Sequence, residues 1–172
     1  MPTLKKKAET PFPRVLLSST KQDWGTPDWL FDILDEEFCF SLDTAARADN
    51  TKCSVYFDEK ADGLKQPWNT DGTAWCNPPY GRKVGAWVEK AYNEGVAWNP
   101  SVLLLPARVD TKWFHKFAGW AEVRLLKGRI KFQGAKQGAT FPSMLMRFGP
   151  GAKRGTISTI TYVQPKRKKS EE

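Results

Sequence analysis

The sequence is poor in the side chains from which zinc sites and disulfide frameworks are built. It has three cysteines, Cys39, Cys53 and Cys76, which form no Cys-x-x-Cys pair, and a single histidine, His115. A zinc site needs closely spaced ligands, and an odd number of cysteines argues against a disulfide framework. We therefore expect no metal site and three reduced thiols that are buried or half-buried.

Long apolar runs are also missing. No segment approaches the roughly 20 residues that a membrane-spanning helix needs. The three lysines at 5–7 are followed only by the short apolar run 15–17, which is not a signal-peptide core. We expect a cytosolic protein with no membrane contact. Neither of the common glycine-rich phosphate-binding motifs occurs, so a nucleotide held by its phosphates is not expected.

The composition is that of one folded domain with basic ends. The chain has 172 residues, of which 40% are hydrophobic and 13% aromatic, and a net charge of +8. Residues 1–21 carry five basic side chains and one acidic, and residues 153–172 carry six and two. We expect a flexible basic tail at 1–20, a folded domain at 21–163 and a charged tail at 164–172.

Charge is also divided within the domain. Residues 22–80 hold 4 basic and 12 acidic side chains, whereas residues 81–152 hold 12 basic and 4 acidic. Such a division indicates two surfaces with different partners, one suited to a cation and the other to a polyanion.

Between the tails, short apolar runs alternate with helical patterns. Thr26 is placed to cap a helix that has Pro27 at its first position, and Asp110 is placed to cap a short helix. A further helix is predicted at 84–98. Strands are predicted at 39–43, 54–57, 73–76 and 101–106, two more within 121–132 around Lys127, and a last one at 143–148. This order predicts an α/β fold with a mostly parallel sheet and antiparallel closing strands.

In open α/β sheets, ligands bind at the carboxyl ends of the strands. Three predicted strand ends carry polar groups, at Asp43, Asn77 and the turn 106–108. The most distinctive is the stretch Asn77-Pro78-Pro79-Tyr80, which follows the apolar run 73–76. Two consecutive prolines fix two φ angles and give a rigid, extended loop that holds an amide and an aromatic ring at a set separation.

Five blocks of the sequence together resemble the phage-type, Dam-like DNA N6-adenine methyltransferases, which use S-adenosylmethionine. In that family they occur in this order, and the Asn-Pro-Pro-Tyr stretch is its motif IV. Here they read Trp24–Phe38, Leu42–Ala46, Trp75–Gly81, Pro106–His115 and Gly128–Phe132. The resemblance covers roughly residues 22–150 and implies a single Rossmann-like methyltransferase domain, encoded by a phage or prophage and acting in the host cytoplasm.

The resemblance implies transfer of a methyl group from S-adenosylmethionine to N6 of adenine in double-stranded DNA, with no metal. An exocyclic amine is a poor nucleophile, so two acceptors aimed at its N–H bonds would localise the lone pair. The side-chain oxygen of Asn77 and the carbonyl of Pro78 are such acceptors. Pro79 stiffens the loop, and Tyr80 offers a stacking face to a base turned out of the duplex.

The resemblance also implies the remaining cofactor residues, whereas the DNA-contacting residues are expected from their positions in the basic half of the chain. We expect Asp62, rather than Asp58, to meet the adenine of the cofactor. Residues expected near the cofactor are Trp24, Thr26, Pro27, Asp43, Asp62 and Asn77. Residues expected to contact DNA phosphates are Arg82, Lys83, Arg108, Lys112, Arg129 and Lys131. Residues 127–141 are expected to be a mobile segment that meets DNA, and the protein is expected to be a monomer or weak dimer.

The chain also departs from the pattern of such enzymes. The usual glycine-rich Phe-x-Gly-x-Gly turn of motif I is replaced by Leu-Asp-Thr-Ala-Ala at 42–46, which leaves the contact to the cofactor carboxylate undefined. Motifs of the Asn-Pro-Pro-Tyr type also serve other acceptors. The alternatives are therefore methylation of cytosine N4, an RNA base or a protein glutamine, or a DNA-binding module that has lost catalysis.

Overall fold

The computed structural model describes residues 24–164, so that the basic tail at 1–20 and all but the first residue of the tail at 164–172 lie outside the described part. Its helices are α1 (Asp28–Phe38), α2 (Val84–Val96) and α3 (Lys112–Phe117). Its strands are β1 (Phe40–Asp43), β2 (Val55–Tyr56), β3 (Thr73–Cys76), β4 (Ser101–Pro106), β5 (Glu122–Leu126), β6 (Ser143–Phe148) and β7 (Thr156–Ile160).

The strands form a single seven-stranded sheet in the order β2-β1-β3-β4-β6-β5-β7. All pairings are parallel except those of β6, which runs antiparallel to both β4 and β5. The predicted fold class, a Rossmann-like α/β domain with a mostly parallel sheet, is confirmed. The antiparallel strand lies inside the sheet, and β7, parallel to β5, forms the edge.

The core lies on both faces of the central strands. Every residue of β3 and β4 is buried, as a continuous apolar run between helix-covered faces predicts. Helix α1 packs Leu30, Phe31, Leu34 and Phe38 against the sheet. Burial of side chains of this size contributes about 1.5–3 kcal/mol each, so these contacts fix the sheet on which the site is built.

Two predicted helix caps are wrong. Pro27, not Thr26, is the residue that precedes α1, and no side chain caps this helix. The Thr26 hydroxyl instead accepts a hydrogen bond from Asn77. At α3 the capping side chain is Thr111, which accepts from the Phe114 N–H, and not Asp110. In both cases a neighbouring residue with the right backbone geometry takes the capping position.

Two strand predictions also fail. Residues 128–132 form a loop rather than a strand, since β5 ends at Leu126. The alternating Ile130 and Phe132 are buried, but against other loops instead of a neighbouring strand. Conversely, β6 is not the last strand. β7 follows it at the sheet edge, where almost all its residues are exposed and its two isoleucines do not alternate with polar residues.

Since β1 to β5 all run in one direction, with β6 the exception, the loops that follow β1, β2, β3, β4 and β5 emerge at the same edge of the sheet. We call this edge the carboxyl edge. The loops before these strands, and the one before β7, lie at the opposite, amino edge. Within residues 24–164 no helix has the length and hydrophobicity that a bilayer crossing requires.

Candidate active site

A cleft opens at the carboxyl edge between the ends of β1 and β3. The chain passes from β1 outward to β2 and then back across to β3, so the strand order reverses here, which is where open α/β sheets bind ligands. The residues that line the cleft are Trp24, Gly25, Thr26, Asp43, Ala45, Asn50, Lys52, Trp75 and Asn77.

Asn77 is held in one orientation at the end of β3. Its amide nitrogen donates to the carbonyl oxygen of Trp24 and to the hydroxyl oxygen of Thr26, the latter at 2.9 Å. A backbone carbonyl can only accept, so the amide nitrogen must face it. Both amide hydrogens are thus used, and the side-chain oxygen is left as a buried acceptor with no partner among residues 24–164.

The rest of the Asn-Pro-Pro-Tyr loop is anchored to the sheet. Pro78 is buried and Pro79 exposed. Tyr80 is only 6% exposed, and its hydroxyl donates to the carbonyl oxygen of Leu104 in β4 at 3.0 Å. Burial holds the pKa of the Tyr80 hydroxyl well above its ordinary value, so this group stays protonated and remains a donor.

Tyr80 belongs to a cluster of aromatic rings that joins the loop to the rest of the site. Its ring centroid lies 6.1 Å from that of Phe132 and 5.6 Å from that of Phe141, both edge-on. Trp24, at the cleft wall, lies 5.5 Å from Phe132. Phe132 and Phe141 therefore anchor the segment 127–141, which the sequence predicts to be mobile. Tyr80 exposes little ring surface in this arrangement.

Asp43 ends β1 inside the cleft and is 3% exposed. Its carboxylate accepts from the backbone N–H groups of Lys52, at 3.0 Å, and Ala45, at 3.4 Å. Burial raises the pKa of Asp43, and these two N–H groups and the Lys52 charge oppose that rise. The sequence predicted that Asp43 and Asn77 lie at one site, and both line the cleft.

Lys52 is a cleft residue that the sequence reasoning missed. Its side chain is about 10% exposed, and its ammonium group is bonded to Asp28, at the start of α1. It is the one basic side chain among the nine residues that line the cleft. A signal was present: Lys52 is one of only four basic residues in the acidic stretch 22–80, and it follows a predicted strand end.

The structure places the two aspartates of the 58–66 turn away from the cleft wall. Asp58 caps the turn by accepting from the Ala61 N–H at 2.8 Å. Asp62 has a φ of 56° and pairs with Lys65 at 3.0 Å. The hydrogen bond from Lys65 lowers the pKa of Asp62. Neither residue lines the cleft, so the adenine-binding role expected of Asp62 stays a prediction.

Trp24, Thr26 and Pro27 form the segment that leads into α1. Trp24 and Thr26 line the cleft, whereas Pro27 is buried beneath the first turn of the helix and does not. Gln133 packs on this segment, and its backbone N–H donates to the carbonyl oxygen of Gly25 at 2.8 Å. A Cβ at Gly25 would lie 2.7 Å from the side-chain oxygen of Gln133, so a larger residue there would displace the Gln133 side chain.

The six predicted phosphate-binding residues are all exposed and share one edge of the molecule. Arg82 and Lys83 follow β3, Arg108 and Lys112 follow β4, and 129–131 follows β5. These three strands are parallel, so their loops emerge at the carboxyl edge, beside the cleft. The sequence only assigned these charges to one half of the chain, whereas the topology brings them together at the carboxyl edge.

The cysteines are unpaired, and their environments differ. Cys39 is exposed, contrary to the expectation that all three thiols are covered. Burial raises the pKa of Cys53 to about 12 and that of Cys76, directly before Asn77, higher still. The thiol next to the loop is therefore not a nucleophile near neutral pH. No cluster of potential metal ligands occurs within the described residues.

Comparison with known proteins identifies relatives of this chain. Residues 15–170 match the family model described as "DNA N-6-adenine-methyltransferase (Dam)". A DNA N-6-adenine-methyltransferase of Haemophilus phage HP1 is 32% identical over 156 residues, which cover 84% of this chain and 88% of the relative. A protein of the same name from Escherichia phage T1 is 33% identical over 92 residues, 53% of this chain and 38% of that protein.

Proposed function

Because this chain belongs to the DNA N-6-adenine-methyltransferase (Dam) family, we propose that it transfers a methyl group from S-adenosylmethionine to N6 of adenine in double-stranded DNA. It is an adenine-specific DNA methyltransferase, the enzyme for which its relatives are named. The proposal includes S-adenosylmethionine as the methyl donor, double-stranded DNA as the substrate and the turning of the adenine out of the duplex.

One observation carries the proposal: the buried side-chain oxygen of Asn77 has no partner within the described chain. A buried acceptor without a donor costs about 1–3 kcal/mol, so its retention indicates a donor that arrives with a ligand. An amino group supplies that donor. The proposed adenine N6 offers two N–H bonds, one for Asn77 and one for the carbonyl of Pro78, which the following proline keeps fixed.

The residues of the cleft fit S-adenosylmethionine. Its amino acid part carries one positive and one negative group, and the cleft offers the Asp43 carboxylate and the Lys52 ammonium. Trp24, which is only half-buried, supplies apolar wall area for the uncharged parts of the molecule. Asn77 lies both in this cleft and in the loop proposed to hold the adenine. The methyl donor and the adenine that receives the methyl group would therefore meet at Asn77.

In the proposed reaction S-adenosylmethionine supplies a methyl group that its sulfonium already activates. The chain's task is then orientation and the placement of charge. Asn77 and Pro78 accept the two N–H bonds of the amine and draw its lone pair toward the methyl group. No strong general base is required before transfer, because the amine loses its proton to solvent afterwards. His115 is exposed on α3 and need not be catalytic.

Stacking of the extruded base on Tyr80 requires that the ring be uncovered first. Phe132 and Phe141 contact it and anchor the segment 127–141. We propose that this segment, which is glycine-rich and carries Arg129 and Lys131 on its exposed side, shifts when DNA binds. Its basic side chains would then meet phosphates while the aromatic cluster opens toward the base.

The proposal extends to where and how the protein acts. The relatives from phages HP1 and T1 support an enzyme encoded by a phage or prophage and acting in the host cytoplasm. We propose that it acts as a monomer or weak dimer. Titration of the purified protein with S-adenosylmethionine by calorimetry, with ATP as the control ligand, tests the donor. Binding of ATP alone, or of neither, would contradict the proposal.

Reversing two charges at the carboxyl edge is expected to weaken DNA binding. The double variant Arg82→Glu, Lys83→Glu should lose at least about tenfold in affinity at ~0.1 M salt, because phosphate contacts next to the site are replaced by repulsion. The matched control is Lys153→Glu, Arg154→Glu, an exposed adjacent pair at the amino edge. Fluorescence anisotropy measures both. Equal losses in the two variants would rule out a DNA surface at the carboxyl edge.

Removing the charged ends is expected to change the salt dependence and not the sequence that is methylated. Deletion of 1–20 and 164–172 removes eight basic residues. If half of them contact phosphate, the slope of log K against log salt becomes shallower by about 3 to 4 units, at roughly 0.9 per contact. Phosphates position and bases specify, so the methylated site stays the same. An unchanged slope would refute a DNA-binding role for the ends.

A further inference from the structure

We propose that Lys52 binds the carboxylate of the cofactor's amino acid part, and that Asp28 holds the Lys52 side chain in place for this contact. The inference rests on the proposed function, since it names a binding residue in the same cleft. The usual glycine-rich turn of motif I is missing from this chain, which leaves the contact to the cofactor carboxylate undefined. Lys52 would supply that contact.

The position of Lys52 carries the inference. Its backbone N–H donates to Asp43 at 3.0 Å, which fixes the loop after β1 beside the end of that strand. Its side chain then lies in the cleft wall, about 10% exposed, with its ammonium group on Asp28. Ordering of a lysine side chain costs entropy, which an exposed surface pair seldom repays. Here the lysine is instead largely buried at the cleft wall.

Lys52 is the source of positive charge at the cleft. Its ammonium group is paired with Asp28 and attracts the Asp43 charge, and no second basic side chain lines the cleft. An ammonium has three N–H donors, and Asp28 is the one acceptor bonded to it within residues 24–164. A carboxylate that enters the cleft therefore finds donors here, while the cofactor's own ammonium group finds Asp43.

Asp28 acts as a positioning residue. It accepts from Lys52 and, at 3.1 Å, from the side-chain amide of Gln133, so three segments of the chain meet on one carboxylate. Its side chain is 77% exposed, and it does not line the cleft. It therefore orients the lysine from outside and leaves the cleft side of the ammonium group available to the ligand.

A pair of ligands that differ only in the carboxylate tests this assignment. The wild-type protein should bind S-adenosylmethionine about 10- to 100-fold more tightly than decarboxylated S-adenosylmethionine, the effect expected of a hydrogen bond between charged groups. Lys52→Met should reduce this preference to within about threefold, with little change in affinity for the decarboxylated ligand. Lys52→Arg should retain most of the preference. Calorimetric titration measures both affinities.

The control variant is Lys60→Met, an exposed lysine in the same acidic half of the chain, which should keep the wild-type preference. A lysine that only braces the fold would lower both affinities together when replaced, and that result would overturn the inference. So would equal affinities of the wild-type protein for the two ligands, a comparison that needs no variant. A wild-type protein that binds neither ligand would refute the proposed function instead.

Discussion

Replacement of Asn77 by alanine is expected to lower kcat by about 10²- to 10³-fold, the loss seen when one fixed hydrogen-bonding group is removed from a reacting centre. Its side-chain oxygen is the buried acceptor with no partner inside the described chain. Contact with the amine strengthens as charge develops, so the loss falls on kcat rather than on cofactor affinity. Single-turnover methylation and cofactor titration measure the two effects separately.

A control is required because Asn77 also ties down the cleft wall through Trp24 and Thr26. Thr26→Val removes one of these ties and leaves the acceptor oxygen in place, so kcat should fall by less than about tenfold. If Thr26→Val were as damaging as Asn77→Ala, the amide would matter only as a tether. An Asn77→Ala protein that kept more than a tenth of its kcat, about 1.4 kcal/mol or less, would contradict the assignment.

Tyr80→Ala is expected to damage both stability and activity. Removal of a buried aromatic ring costs about 3–5 kcal/mol, which lowers Tm by roughly 10 °C in a chain of this size. The cavity lies beneath Phe132 and Phe141, so the segment 127–141 loses its anchor along with the proposed stacking face. Thermal unfolding and single-turnover methylation report the two losses.

The matched variant is Tyr80→Phe, which retains the ring. The sequence alone predicts that it is nearly silent. The structure revises this, because loss of the hydroxyl leaves the Leu104 carbonyl without this donor, at a cost of about 0.5–1.5 kcal/mol in stability. Turnover should still stay within about twofold of wild type. Equal losses of kcat in the two variants would show that the hydroxyl is essential, and the stacking role would be abandoned.

The central strands and the loop at their end were predictable because local and long-range preferences agree there. Residues 73–76 and 101–106 are apolar runs of strand length bounded by turn residues, and the structure has β3 and β4 at those bounds. Two prolines after β3 could only form an extended loop. Parallel strands then bring Asp43 and Asn77 to one edge, a consequence of topology that the alternation of strands and helices already implies.

The failed predictions depend on contacts between distant segments. Residues 128–132 alternate like a strand, but Phe132 packs on Trp24 and Tyr80 through loops whose positions the local pattern does not encode. Thr26 has the chemistry of a helix cap, but its hydroxyl is used by Asn77, 51 residues away. β7 is an exposed edge strand without apolar alternation. Lys52 became a site residue only when the fold placed its loop beside α1.

Methylation of N6 of adenine in DNA, at the cleft between β1 and β3, is the proposed reaction of this chain. The most direct measurement supplies S-adenosylmethionine with a deuterated methyl group and unmethylated double-stranded DNA, then identifies the labelled nucleoside by mass spectrometry. We expect labelled N6-methyldeoxyadenosine from the wild-type protein and almost none from Asn77→Ala. Label in N4-methyldeoxycytidine, or in protein, or equal labelling by both proteins would contradict the proposal.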